Sequence, residues 1–525
     1  MACELPWLLW ITLAVAAAPV CYYFVFVIAS TRGGAHHRQP PGPRQLPIVG
    51  NLLDLGDSNN LHQGLANLAR VHGPVMMLKL GLITTVFVSS RDAAWEAFTK
   101  HDRRLAARTV PDTRHALAHS ERSMVWLPSS HPLWKTLRGV VASHVFSPRS
   151  LLAARGHRTR MVRDMVDCFR RHADAGQEVE IGGVVYGGLF GLLTNVLFSV
   201  DATAASIFRE LMEEVVMLLA KPNMSDFFPF LRALDLQGLR RFTAMRMGRI
   251  FQILDGIIER RLDDAQQQQK HDGKDVLDSL LELVSVGKLT RRDVRTLLFD
   301  ILTAATETTK TTVEWAMAEL LRNPSVMATV RAEIMAKATA TTFGGGRNKA
   351  DAENKQQLQI MDEADVANLP YLQAAVKESM RLHPVAPLLL PHLAVDHGVE
   401  IGGYTVPKGA TIFFNSWAIM RDPAAWDRAD EFLPERFLSK PELNMSGKEL
   451  KFIPLGSGRR LCPALPMVEL VVPFTLASLL QAFEWRLPQG MSAEELDVTE
   501  RYTSKDILVM AVPLKAVPVA VAHYT

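Results

Sequence analysis

The sequence predicts a mainly α-helical chain with a small β portion, carried behind one N-terminal helix long enough to cross a membrane. Three observations predict it. Residues 91–382 read mostly as helix, with apolar positions at helical spacing. Beyond Pro384 the chain becomes irregular and strand-like, with one last apolar helix at about residues 467–483. At the other end, residues 6–29 carry no charge.

That uncharged run is about the length a helix needs to span a bilayer. Trp7, Trp10, Tyr22 and Tyr23 suit the two interfaces, and Pro19 is placed to kink the helix. A cleaved signal peptide is the competing reading, but the run exceeds a typical hydrophobic region and lacks a charged start. Arg32, Arg38 and Arg44 follow it, whereas only Glu4 precedes it. The positive-inside rule then places the body in the cytosol, on a single-pass anchor in the endoplasmic reticulum membrane. Residues 1–30 are the anchor, 31–50 a spacer and 51–525 the main domain. The spacer carries prolines at 40, 41, 43 and 47, which exclude helix and stiffen the chain.

Composition narrows the class. With 48% hydrophobic and 22% charged residues the chain is globular. A net charge of +3, from 58 basic and 55 acidic residues, gives no support to a nucleic-acid partner. Of the four cysteines, Cys3 and Cys21 lie in or beside the apolar N-terminus. With Cys168 and Cys462 they form neither a disulfide framework nor a zinc spacing, which fits a reduced compartment.

Along the domain, residues 75–80 and 84–89 read as a hairpin around Gly81-Leu82. Two polar interruptions, 266–274 with four glutamines and 339–359 with three glycines, are expected to be solvated loops. No internal repeat is present.

The most informative stretch is Phe452-Ile453-Pro454-Leu455-Gly456-Ser457-Gly458-Arg459-Arg460-Leu461-Cys462-Pro463. Its glycines permit a tight bulge whose backbone N–H groups can face a sulfur. Pro463 suits the first turn of the following helix, which would put Cys462 at a helix N-terminus and favour its thiolate. Arg460 adds a cation for an anionic cofactor edge. Taken alone, the stretch is also compatible with a glycine-rich turn beside a core cysteine.

Here the chain resembles the cytochrome P-450 family, whose signature reads Phe-x-x-Gly-x-Arg-x-Cys-x-Gly. Gly458, Arg460 and Cys462 match; Leu455 and Ala464 replace the outer Phe and Gly. The resemblance implies the P-450 fold around a buried haem b, with Cys462 as the axial ligand of the iron. The two departures bear on redox potential and haem retention, not on the ligand. Glu378-Ser379-Met380-Arg381 and the later Phe432-Leu433-Pro434-Glu435-Arg436-Phe437 resemble two further family segments. By that resemblance Glu378, Arg381 and Arg436 form a buried structural network. Trp134 and Arg138, four apart on one helix face, resemble the family's contacts to the haem propionates. His392 occupies the place of a second propionate-binding cation.

A long helix is expected over residues 290–323, capped by Thr290 and Asp293 and stopped by Pro324. Its middle, Ala304-Ala305-Thr306-Glu307-Thr308-Thr309, is unusual for a buried helix, because threonine hydroxyls bond the preceding turn's carbonyls and distort it. In the family this is the oxygen-activating helix, and Glu307 and Thr308 match its acid–alcohol pair for proton delivery. Ala305 stands where the family has glycine.

The resemblance runs over nearly the whole chain and points to the plant microsomal branch. Residues 101–108, 126–130 and 313–320 look most like the geraniol-hydroxylase-like group, which includes monoterpenol and cereal diterpene hydroxylases. It implies a monooxygenase for a mono- or diterpenoid, using O2 and NADPH electrons through a membrane flavoprotein reductase. Phe299, Leu302, Ala304, Ala305, Val385 and Leu388 are the expected apolar pocket. Two alternatives stand beside it: a haem-thiolate isomerase or dehydratase without O2, and a non-enzymatic membrane protein on the same scaffold.

Overall fold

Strands β1 (Val75–Leu80) and β2 (Ile83–Val88) pair antiparallel, Leu80 opposite Ile83, across the turn at Gly81-Leu82. Gly81 has φ +59°, and a Cβ there would lie 2.7 Å from the Phe227 carbonyl oxygen, so only glycine fits the turn. The computed structural model describes residues 38–521 except 57–59, 201–205, 267–274, 345–359, 441 and 504–506. The anchor, the first part of the spacer, and most of both polar interruptions lie outside the described residues. The helix Pro324–Gly344 extends into the start of the second interruption.

The described part of the spacer lies on the domain. Met77 N–H donates to the Pro41 carbonyl at 2.8 Å, and Thr405 N–H to Arg38 at 2.9 Å. Proline lacks an N–H but keeps its carbonyl, so this segment accepts bonds from its neighbours without extending a ladder.

Three short strands complete the sheet: β3 (Ala107–Arg108), β4 (His392–Leu393) and β5 (Thr411–Phe414). The order is β1-β2-β5-β4-β3, with β5 parallel to β2 and the other pairs antiparallel. The hairpin near the N-terminus thus joins strands more than 300 residues away, and Arg108 is set opposite His392.

The helical body contains α1 (Pro132–Val140), α2 (Arg155–Asp174), α3 (Ile181–Phe198), α4 (Leu239–Gln266), α5 (Arg291–Arg322), α6 (Pro370–Leu382) and α7 (Leu465–Ala482). Helix α5 starts with a reciprocal cap. Asp293 N–H donates to Thr290 Oγ at 3.2 Å, and Thr290 N–H donates to the Asp293 carboxylate at 2.8 Å. At 1.5 Å per residue its 32 residues span about 48 Å, and it packs on α3, α6 and α7. The threonine back-bonds are present, from Thr303, Thr306, Thr308 and Thr312 to carbonyls one turn earlier. The helix nonetheless runs unbroken.

Glycines let α3 pack tightly between α2 and α5. A Cβ on Gly188 would lie 2.8 Å from Met165, and one on Gly182 would lie 2.6 Å from Lys310. Helices α3 and α7 are long and apolar enough to cross a membrane, yet both are largely buried inside the protein. Their hydropathy therefore serves the core.

Candidate active site

The cysteine loop is held by its own backbone. Gly458–Arg460 form a single 3-10 turn, and Cys462 N–H donates to the Leu455 carbonyl at 3.1 Å. Gly458 has φ +65°, and a Cβ there would lie 2.5 Å from Asp102 Oδ1, so the bulge requires glycine. Helix α7 begins only at Leu465, with Ala464 as its N-cap. Pro463 therefore lies ahead of the helix, not in its first turn, and Pro466 takes the early proline position.

That offset changes the electrostatics expected at Cys462. The Ala464 N–H and the Arg138 guanidinium favour its thiolate, but burial outweighs them and raises the thiol above its ordinary range. In the protein alone the sulfur keeps its proton; a coordinating metal is what displaces it.

Beside the loop, α1 brings Trp134 and Arg138. Pro132 opens that helix, and His131 caps it by accepting from Leu133 N–H. The Arg138 and Arg460 guanidiniums lie 5.8 and 5.1 Å from the Trp134 ring centre. Arg460 reaches there by donating to the carbonyls of Ala106, Met124, Val125 and Leu127. Burial lowers both guanidiniums, and Arg138 adds to the effect on Arg460, which is pushed down to about 10. Two desolvated cations held together ask for an anion. Trp134 Nε1, buried, has no hydrogen-bond partner among the described residues.

His392 lies on β4, its Nδ1 2.9 Å from the Leu105 carbonyl. Burial and the Arg108 guanidinium push it well below the imidazole range. Both causes favour its neutral form in the protein alone; Arg108, set opposite it and buried, stands as a second cationic group on that side.

On α5, Thr308 Oγ donates to the Ala304 carbonyl at 2.6 Å, and Glu307 pairs with Lys310 at 3.4 Å. Lys310 also holds Glu314 at 3.1 Å. Ala304 is exposed although α5 is buried on both sides of this turn, so the turn borders open space. Ala305 and Ala464 pack on one apolar cluster, and α5 packs on α7, the helix that follows the cysteine loop.

The expected pocket is only partly realised. Ala304 is exposed, and Ala305 and Val385 are half-buried. Phe299 and Leu302 are instead packed into the core cluster around α4 and α5, and Leu388 into the core under the hairpin. The physical reason is helical phase: residues 299 and 302 do not share the face of 300, 304 and 308. Leu389, with φ +50°, faces the cysteine loop instead, 3.9 Å from a Cβ built on Gly456.

Glu378, Arg381 and Arg436 meet away from this space. Arg381 donates to both Glu378 oxygens at 2.7 and 2.9 Å, and Arg436 Nε to Glu378 at 2.9 Å. Arg381 also donates to the Met420 and Ala429 carbonyls.

A model described as cytochrome P450 matches residues 40–513. The chain belongs to the cytochrome P450 family. It is 53% identical to oryzalexin E synthase of Oryza sativa subsp. japonica, over 98% of this chain and 98% of that protein. It is 51% identical to ent-cassadiene C11-alpha-hydroxylase 1 of the same rice, over 98% and 99%. Geraniol 8-hydroxylase of Catharanthus roseus is 38% identical over 91% and 93%. As a P450 monooxygenase the protein takes haem iron. The residues present fit it: a half-buried free cysteine on a glycine bulge offers a soft ligand. The Trp134 N–H, unpaired among the described residues, and the half-buried Arg138 and Arg460 offer donors to carboxylates.

Sequence reasoning missed Arg108, Asp300 and His119. Asp300 had a signal, a carboxylate between Phe299 and Ile301 in an apolar helix, where an unpaired charge is costly. Nothing local distinguishes His119.

Proposed function

We propose that this P450 hydroxylates a terpenoid, with Cys462 as the axial ligand of its haem. Electrons would come from NADPH through a membrane flavoprotein reductase. The observation that carries the haem assignment is the cysteine bulge facing the Trp134–Arg138–Arg460 cluster. The substrate class rests on the relatives: geraniol and ent-cassadiene are both terpene skeletons, and the 51% identity to the latter's hydroxylase favours a diterpene.

Bound there, a thiolate haem supplies oxygen activation, the thiolate favouring O–O cleavage. In this reading Trp134, Arg138 and Arg460 hold the propionates, and Arg108 and His392 close the opposite edge. Gly458 keeps the bulge short, and Leu455 gives the sulfur an apolar neighbour. Thr308 Oγ is the atom from which a proton is passed to the oxygen site. Its hydrogen rests on the Ala304 carbonyl between transfers. Glu307, steadied by Lys310, resupplies that proton through water. Glu378, Arg381 and Arg436 lock the segments leading to the cysteine loop.

The N-terminal 30 residues are read as a single-pass anchor in the endoplasmic reticulum, with the domain cytosolic. An exposed apolar face near the start of the domain supports this. Val49 and Phe227 both accept backbone bonds from the β1–β2 turn, bringing two segments together. Ile48, Leu53, Phe230, Leu234, Leu236 and Phe242 are exposed on them. Such a face suits a lipid surface.

The test is co-expression with a reductase in microsomes, fed terpenes and labelled O2. NADPH-dependent incorporation of one labelled atom, with a thiolate-haem carbon-monoxide band, is expected. Cys462→Ala should abolish that band. Product formed from a hydroperoxide without NADPH would instead establish an isomerase or dehydratase.

A further inference from the structure

Beside the Glu378–Arg381–Arg436 network lies a cavity of about 560 Å³, with Arg436 and Trp426 in its wall. The helix Pro324–Gly344 meets it at its first turn, through Ser325 and Val326. Residues 425–428, Leu433, Glu435 and Lys440 complete the wall.

Donors from three elements converge there. Trp426 is 2% exposed, and its indole Nε1 has no hydrogen-bond partner among the described residues. A buried N–H left unpaired is costly, so an acceptor entering the cavity is favoured. The helix Pro324–Gly344 has 21 residues, and its first N–H groups have no acceptors within the helix. Asn323, which precedes it, turns its amide to the Glu319 carbonyl and carboxylate, at 2.8 and 3.2 Å. The third donor is Lys440, half-buried and without an acidic partner among the described residues.

The wall also carries acids, but they are engaged or turned outward. Glu435 accepts the Tyr371 hydroxyl at 2.5 Å, and the Asp427 side chain is 90% exposed beside Arg428. Arg436 spends its donors on Glu378 and on the carbonyls of Asp427, Arg428 and Glu431, yet keeps its charge. Arg428, Arg436 and Lys440 thus outnumber the two carboxylates, and Lys451 stands 5.8 Å from the Trp426 ring centre. A helix N-terminus adds partial positive charge of its own. The space favours an anion.

We propose that this cavity binds a phosphate group, free or carried on a small organic molecule. Its oxygens accept from the Trp426 N–H, the Lys440 ammonium and the first turn of the helix Pro324–Gly344. A tetrahedral dianion has acceptors for donors arriving from three elements, whereas a carboxylate has only two oxygens to offer. Val326, Ala425 and Leu433 leave an apolar side for an organic substituent. Because Arg436 is bonded to Glu378, occupancy ties that helix to the segment holding the buried network.

The test titrates full-length haem-loaded protein in a neutral detergent by calorimetry, at constant ionic strength set with chloride. The probes are inorganic phosphate and phenyl phosphate, with acetate as the competing anion. Saturable binding of at least one phosphate is expected, and acetate should not displace it. Lys440→Gln and Trp426→Phe each remove one donor to a charged group and should weaken binding about 10-fold or more. Arg163→Gln removes the same charge from an exposed position on α2 and should leave the affinity unchanged. If Trp426→Phe fails to hold haem, Lys440→Gln and Arg163→Gln decide. Tighter binding of phenyl phosphate makes the ligand an ester, and equal affinities make it the free ion. Absence of saturable binding overturns the proposal. So does full affinity in Lys440→Gln, or an equal loss in Arg163→Gln.

Discussion

The guanidinium of Arg460 lies 5.1 Å over the ring of Trp134, joining the cysteine loop to a helix more than 300 residues earlier. Both residues are buried or nearly so, and a second guanidinium, Arg138, approaches the same ring. The arrangement is electrostatically unfavourable until an anion arrives. Arg460→Met should therefore fold with unchanged far-ultraviolet circular dichroism but retain less haem. The ratio of Soret to protein absorbance reads this. Full haem content in Arg460→Met would remove the arginine pair from the cofactor site.

Arg381 and Glu378 are fully buried, and the Glu378 carboxylate and the carbonyls of Met420, Ala429 and Glu431 depend on that one guanidinium. Removing a buried partner strands the other charge. Arg381→Ala should cost about 3–5 kcal/mol, and Arg381→Lys should rescue little because an ammonium cannot fork. Urea unfolding of soluble domain samples measures both. A loss below about 1 kcal/mol would show the network to be dispensable.

Thr308 donates to the Ala304 carbonyl. Thr308→Ala deletes that hydroxyl without touching the cysteine loop, so haem content should hold while NADPH consumption is diverted to peroxide. The ratio of peroxide to product is the measurement. Unchanged coupling in Thr308→Ala would take proton delivery away from this residue.

A buried chain ties four distant segments: His62 to Glu500, Glu500 to His383, and His383 to Glu319, at 2.9, 3.1 and 2.7 Å. Gln63 and Tyr502 also touch it, and Arg421 lies close enough to act on both carboxylates. Burial would raise Glu500, but hydrogen bonds from His383 and His62 win and depress it strongly. Burial would lower His383, but Glu319 and Glu500 win and raise it.

The sign for Glu500 follows from linkage: its contribution is present above the ordinary glutamate value near ~4.3 and is lost as pH falls through the depressed one. His383 contributes fully below ~6.5 and fades as pH rises through its raised value. Stability from this chain is therefore greatest between those limits. Glu500→Gln should flatten the acid limb and move the alkaline fade to lower pH, read as urea midpoints from pH 3 to 9. Parallel wild-type and variant curves would exclude the linkage.

Much of the site was legible because its residues are close in sequence. Gly458, Arg460 and Cys462 lie within five positions, and the Thr290–Asp293 cap is a local pattern whose structure follows from spacing. The core packing of Phe299, Leu302 and Leu388 was not legible, for a different reason. Whether an apolar residue on a known helix lines a cavity or fills the core depends on which neighbour packs there. Periodicity gives the helix without that neighbour. The surroundings of His392 were hidden in the same way: burial and Arg108 lower it, and strand pairing brings Arg108 opposite it from 284 positions away.

By itself the sequence determined the helical majority, the hairpin, the long capped helix and the glycine bulge that carries Cys462, because each is encoded in residues within a few turns of one another. Only the tertiary structure decided that β2 runs parallel to β5, that Trp134 lies beside two arginines, and that His119 is pinned to Asp300. Those outcomes depend on long-range packing and on desolvation, which act between residues that no local pattern connects.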